Sequence, residues 1–284
     1  MTVTRVVDTS CRLGEGPVWH PDEKRLYWVD IESGRLHRYD PETGAHDCPV
    51  EASVIAGVTI QRDGSLLAFM DSGRVGRVVD GELGEVTRVV DSPTRFNDVI
   101  ADPAGRVFCG TMPSESAGGR LFRLDTDGTV TTVETGVGIP NGMGFTRDRE
   151  RFYFTETEAH TIYRYAYEEK TGAVSDREQF VESPETPGLP DGMTVDSAGH
   201  IWSARWEGSR VVKYDADGTE LDRFDVPTEK VTSVAFGGPD LDSLYATTAG
   251  GDGDGGADDD AGALFRLDVA ATGRPEFRSD VRLG

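Results

Sequence analysis

Two stretches fifty residues apart share one frame: Ile-Pro-Asn-Gly-Met at 139–143 and Leu-Pro-Asp-Gly-Met at 189–193. Each seats a side-chain oxygen, on Asn141 or Asp191. Alone, each reads as a tight turn, because Asn-Gly and Asp-Gly suit turns with positive φ. Two further positions change that reading: Glu15 in Leu-Gly-Glu-Gly-Pro-Val and Asn97 in Arg-Phe-Asn-Asp-Val. They share no turn chemistry with the first pair, but all four stand two or three residues ahead of an apolar residue, Val18, Val99, Met143 or Met193. Two carboxylates brought together repel unless a cation sits between them. A set of carboxylates and amides, with no sulfur or imidazole, suits one hard divalent ion, Ca²⁺ first, then Mg²⁺ or Mn²⁺. Structural zinc is disfavoured, with catalytic Zn²⁺ left open. His20, His37, His46, His160 and His200 offer no pair four residues apart, so no helical two-histidine metal motif exists.

Something must carry these oxygens to one place. Val18, Val58, Val99, Met143, Met193 and Val234 are separated by 40, 41, 44, 50 and 41 residues. Each opens a short apolar run, a polar turn rich in Asp, Gly or Pro, and a run of aromatic and β-branched residues, as in PVWHPDEKRLYWVD and MTVDSAGHIWSA; this is the pattern of paired strands. A second strand pair follows each copy, for example GRLHRYDPETG and SRVVKYDADG. Six four-stranded repeats of this length predict an all-β, six-bladed β-propeller, with residues 1–284 as a single domain. The first strand of each blade lines the central channel, so the residues just before each anchor converge at one mouth. There the chain offers Glu15, Ala56, Asn97, Asn141, Asp191 and Thr232. VTRVVD occurs at 3–8 and again at 86–91, where the outermost strand of the second blade belongs. The first copy is therefore expected to complete the sixth blade and close the ring, hiding a sheet edge. The rival for that place is PEFRSDV at 275–281.

The charge is strongly acidic: 29 basic residues against 51 acidic give −22, and only four of the basic residues are Lys. Such a chain cannot neutralise phosphates, which argues against a nucleic-acid partner. Acids dispersed along the whole chain point to a halophile, where salt screens self-repulsion. No apolar run is long enough to cross a membrane, and the opening MTVTRVVDTS lacks a signal-peptide pattern. Cys11, Cys48 and Cys109 are few and scattered, which fits a reducing cytoplasm and small buried fillers. A monomer or weak oligomer is expected.

CRLGEGPVW, RFNDVIADPAGRVFCGTM, IPNGMGF, LPDGMTVDSAGHIWSARW and VTSVAFGG occur in this order. Together they resemble the senescence-marker-protein/gluconolactonase/luciferin-regenerating-enzyme family, over about Cys11 to Leu267. The resemblance implies a propeller with one catalytic divalent cation at the channel mouth, hydrolysing a small sugar lactone. It implies that Glu15, Asn141 and Asp191 ligate the metal, with Asn97 a ligand or a substrate contact. By the same resemblance Arg95 bonds sugar hydroxyls and Glu115 lies on the substrate lid. Asp191 is the candidate general base; no Gly-X-Ser-X-Gly nucleophile motif is present. The lid stretch PSESAGG is short, so substrate choice does not transfer. GGDGDGGADDDAG at 250–262 lacks the closing Glu of a calcium loop and is expected to be a solvated loop rather than a second ion site. Two alternatives stay open: a related propeller hydrolase acting on phosphotriesters or other lactones, and a non-catalytic binding scaffold.

Overall fold

The computed structural model describes residues 2–183, 187–250 and 260–283. Six four-stranded antiparallel sheets follow one another around a ring, as the repeat predicts. Their innermost strands are Gly14–His20, Gly57–Ile60, Phe96–Ala101, Pro140–Phe145, Leu189–Val195 and Val231–Gly237, in blades 1 to 6. The second strands, such as Arg25–Asp30 and Arg151–Glu156, are buried on almost every residue, because neighbouring blades cover both faces. The outermost strands alternate or are largely exposed. Aromatic packing fills the gap between blades 3 and 4: Phe108 stacks on Phe152 at 4.7 Å and meets Phe145 edge-on at 6.1 Å.

The recurrent Asp-X-X-Gly turns between strands have a local cause. Asp102 Oδ1 accepts the N–H groups of Ala104 and Arg106, and Asp196 Oδ1 does the same for Ala198 and His200. Gly105 and Gly199, at φ near 93° and 92°, supply the left-handed residue that closes such turns.

The ring closes as expected. Val3–Val7 pairs antiparallel with Leu264–Asp268, with Val3 opposite Leu267, and becomes the outermost strand of blade 6. The rival segment has another position. Residues 272–282 cross the end of the channel remote from the oxygen cluster. Ser197 N–H donates to Thr272 O, Arg274 Nη2 to Phe145 O, Ser279 N–H to Ile60 O, and Arg282 N–H to Thr126 O. This strap ties together blades 5, 4, 2 and 3. Among the described residues no helix is long and apolar enough to cross a membrane.

Candidate functional site

In five of the six blades the innermost strand carries one extra residue at the mouth. The register slips between Glu15 and Val18, Phe96 and Val99, Asn141 and Met143, Pro190 and Met193, and Val231 and Ser233. These slips bracket or begin at Glu15, Asn97, Asn141, Asp191 and Thr232. Blade 2, whose mouth residue is Ala56, pairs without a slip. A bulge frees one residue from strict alternation and re-aims its side chain, so the fold bulges where it presents an oxygen and stays regular where it presents a methyl group.

The turn reading of the two Pro-X-Gly-Met frames is corrected here. Both lie within strands, Pro140–Phe145 and Leu189–Val195, and neither Gly142 nor Gly192 has positive φ. Their glycines serve close approach instead. A Cβ on Gly142 would stand 2.6 Å from Asp191 O, and one on Gly192 2.1 Å from Ser233 Oγ. Each glycine lets the next blade's bulge press against its own.

The predicted side chains meet. Glu15, Asn97, Asn141 and Asp191 are all buried. Asn97 Nδ2 donates to Asn141 Oδ1 at 2.7 Å and to Pro140 O at 2.8 Å. Arg95 Nη1 donates to Asn97 Oδ1 at 2.5 Å and to Phe96 O at 2.9 Å. Burial raises the Glu15 and Asp191 carboxyls well above the usual carboxylate range; the charge of Asp98 raises Glu15 further, and those of Glu15 and Asp98 raise Asp191. Blade 6 lies between their blades, so the two carboxyls approach from blades that are not neighbours. Arg95 feels the charges of Glu15 and Asp191, which oppose the loss of its proton on burial. Glu115 is not drawn in: it sits exposed on the turn from Ser114 to Ala117, at the same mouth, since Met112 N–H donates to Arg95 O.

Asp191 Oδ1 is buried with no hydrogen-bond partner among the described residues. A buried carboxylate oxygen without a donor is costly. Two carboxylates and the Oδ1 of Asn141 form a hard, all-oxygen donor set that fits a divalent cation, while the Oδ1 of Asn97 is held by Arg95.

Three features escaped the sequence. Asp98 faces inward just below the cluster, its carboxyl pushed up to about 6 by burial. It lines an axial cavity of about 510 Å³ together with Met143, Met193, Ser233 and Glu276. None of the mouth oxygens lines that cavity, which lies on the side of the strap residues Arg274 to Arg278. Thr157, one residue past its strand, bonds Asn141. Cys11 is no simple filler: with Asp30 and His37, all buried, it brings one ligand atom within 4.8 Å of the others, a group that could hold a divalent metal. Cys11 Sγ lies 3.7 Å from His37 Nε2, and burial pushes the thiol up to about 11 and the imidazole down to about 4. Both Asp30 oxygens already accept backbone N–H groups, from Arg12 and Leu13, which anchors the loop leading to Glu15. Cys48 is only half-buried. Residues 251–259 of the acidic loop lie outside the described residues.

The profile of the SMP-30/gluconolactonase/LRE-like region matches residues 13–250. The pentonolactonase XacC of Haloferax volcanii is 89% identical over the full length of both chains. A 6-deoxy-6-sulfogluconolactonase of Pseudomonas putida is 38% identical over 87% of each. Among solved structures, the calcium-binding protein regucalcin of Agrobacterium tumefaciens superposes with a TM-score of 0.89 at 29% identity, covering 98% of this chain and 97% of that one. With its mouth oxygens, its bulges and these relatives, the chain belongs to the SMP-30/gluconolactonase/LRE-like family.

Proposed function

We propose that this enzyme is a metal-dependent sugar lactonase that opens aldonolactones, foremost pentonolactones such as arabino- and xylonolactone, and also gluconolactone, to the aldonic acid. The carrying observation is Asp191 Oδ1, buried with no hydrogen-bond partner among the described residues and repelled by the charge of Glu15. The near-identity to a pentonolactonase supports the substrate class. Glu15, Asn141 and Asp191 hold one divalent cation, Ca²⁺ by preference. When bound, the cation supplies Lewis acidity for the lactone carbonyl and for water. Asp191 accepts the proton of the attacking water. Arg95, with Nη1 held by Phe96 O and Asn97 Oδ1, turns its other N–H groups to the ring hydroxyls, beside Asn97; Glu115 adds an acceptor at the rim. The free cysteines support a cytoplasmic setting, and the charge of −22 supports a protein that works without nucleic acid. The site needs no second copy, in keeping with a monomer or weak oligomer.

The test is a pH-indicator assay on pentono- and hexonolactones, with and without EDTA, against a blank for spontaneous opening. EDTA should bring the rate to the blank. Asp191→Asn should lower turnover about 10²–10⁴-fold and weaken Ca²⁺ binding; a fully active Asp191→Asn enzyme excludes Asp191 as the base.

A further inference from the structure

A single directed chain of hydrogen bonds runs through the mouth of the channel. Arg95 Nη1, which can only donate, bonds Asn97 Oδ1. Asn97 Nδ2 donates to Asn141 Oδ1, and Asn141 Nδ2 donates to Thr157 Oγ1 at 2.9 Å. Thr157 Oγ1 donates at 2.8 Å to Pro190 O, a carbonyl that can only accept. With both ends fixed in polarity, every amide between them is fixed too. Thr157 has one proton and gives it to Pro190, so towards Asn141 it can only accept. Asn141 must therefore turn its NH₂ to Thr157 and its Oδ1 to the channel. Asn97, Asn141 and Thr157 are all nearly excluded from solvent, so water does not compete for these bonds. Thr157 also crosses a blade boundary, tying Asn141 of blade 4 to the carbonyl that precedes Asp191 in blade 5.

We infer that Thr157 is a positioning residue for the cation site: its hydroxyl sets the orientation of the Asn141 amide and holds the Asp191 bulge at its distance from Asn141. This rests on the reading of Asn141 and Asp191 as metal ligands. Residues that orient ligands from behind typically change metal affinity by about 10–100-fold when lost.

The experiment titrates metal-free full-length protein with Ca²⁺, and separately Mn²⁺, by calorimetry, for wild type, Thr157→Val, Thr157→Ser and Asn141→Ala, with the melting temperature of each metal-free form measured alongside. Thr157→Val should weaken binding about 10–100-fold, Thr157→Ser should restore it to within about threefold, and metal-free melting temperatures should not follow that order. Should Thr157→Val fail to fold, Thr157→Ala takes its place under the same criteria. Wild-type affinity in Thr157→Val, or equal loss in Thr157→Ser, overturns the inference while Asn141→Ala still binds weakly. Undiminished binding in Asn141→Ala instead overturns the ligand reading, and the inference with it.

Discussion

Asn141 and Asp191 hold equivalent places in neighbouring blades, yet one is an amide and the other a carboxylate. With Glu15 the mouth positions then carry two formal negative charges, matched to one divalent ion; Asp98 just below already repels both, and a carboxylate in place of Asn141 would add to a repulsion that burial magnifies. These residues were legible because each stands two or three residues ahead of an apolar anchor. Thr157 was not, since its meaning depends on Pro190, 33 residues away in another blade. Cys11 and His37 are likewise 26 residues apart, and nothing in either stretch marks the other. That pair makes its own prediction. His37, whose folded pKa is lowered to about 4 from 6.5 chiefly by burial, stays neutral while the unfolded chain takes up a proton. Between about pH 6.5 and 4 the unfolded state thus binds more protons, so this contribution is whole above pH 6.5 and is lost as the pH falls towards 4. Unfolding free energies of wild type and His37→Gln, from denaturant titrations, should converge over that window by up to about 3 kcal/mol; a pH-independent difference would contradict it.

At the level of the strand, alternation and turn chemistry named the elements, and the six anchors named the blades. The bulges were hidden. One extra residue barely disturbs an apolar pattern, and only the earlier position of Glu15 relative to its anchor hinted at one. The glycines of the two Pro-X-Gly-Met frames misled for a related reason: a glycine required for positive φ and one required for contact look the same until the neighbouring blade is in place. Closure was legible because VTRVVD repeats an outer strand. Removing residues 2–8 uncovers the edge of Leu264–Asp268 and opens the ring. At roughly 2–4 °C per kcal/mol for a chain of this size, losing that strand should lower the melting temperature by about 10 °C or more in a thermal scan; an unchanged value would mean that the strap alone holds the ring.

Across the whole molecule the net charge is −22, with arginine–carboxylate pairs such as Arg35–Glu51 and Arg38–Asp47 at the surface. Exposed pairs of this kind contribute little and are screened by salt, while the repulsion among unpaired acids is screened as well. The screening length shrinks from about 10 Å at 0.1 M to about 3 Å at 1 M salt, so the repulsion dominates the response. Melting temperature should therefore rise steadily between about 0.2 M and about 2 M KCl; a flat or falling curve would remove the halophilic reading of the composition, whatever the kinship to a Haloferax protein. The pairing of Val3 with Leu267 has one more consequence, in time rather than space. A ribosome adding about 5–20 residues per second delivers the partner strand on the order of tens of seconds after the first. Throughout that interval the opening segment has no sheet to join, and its three valines must be kept from other edges. The ring can close only once Leu264–Asp268 has been made, and until then the newborn chain must wait to become whole.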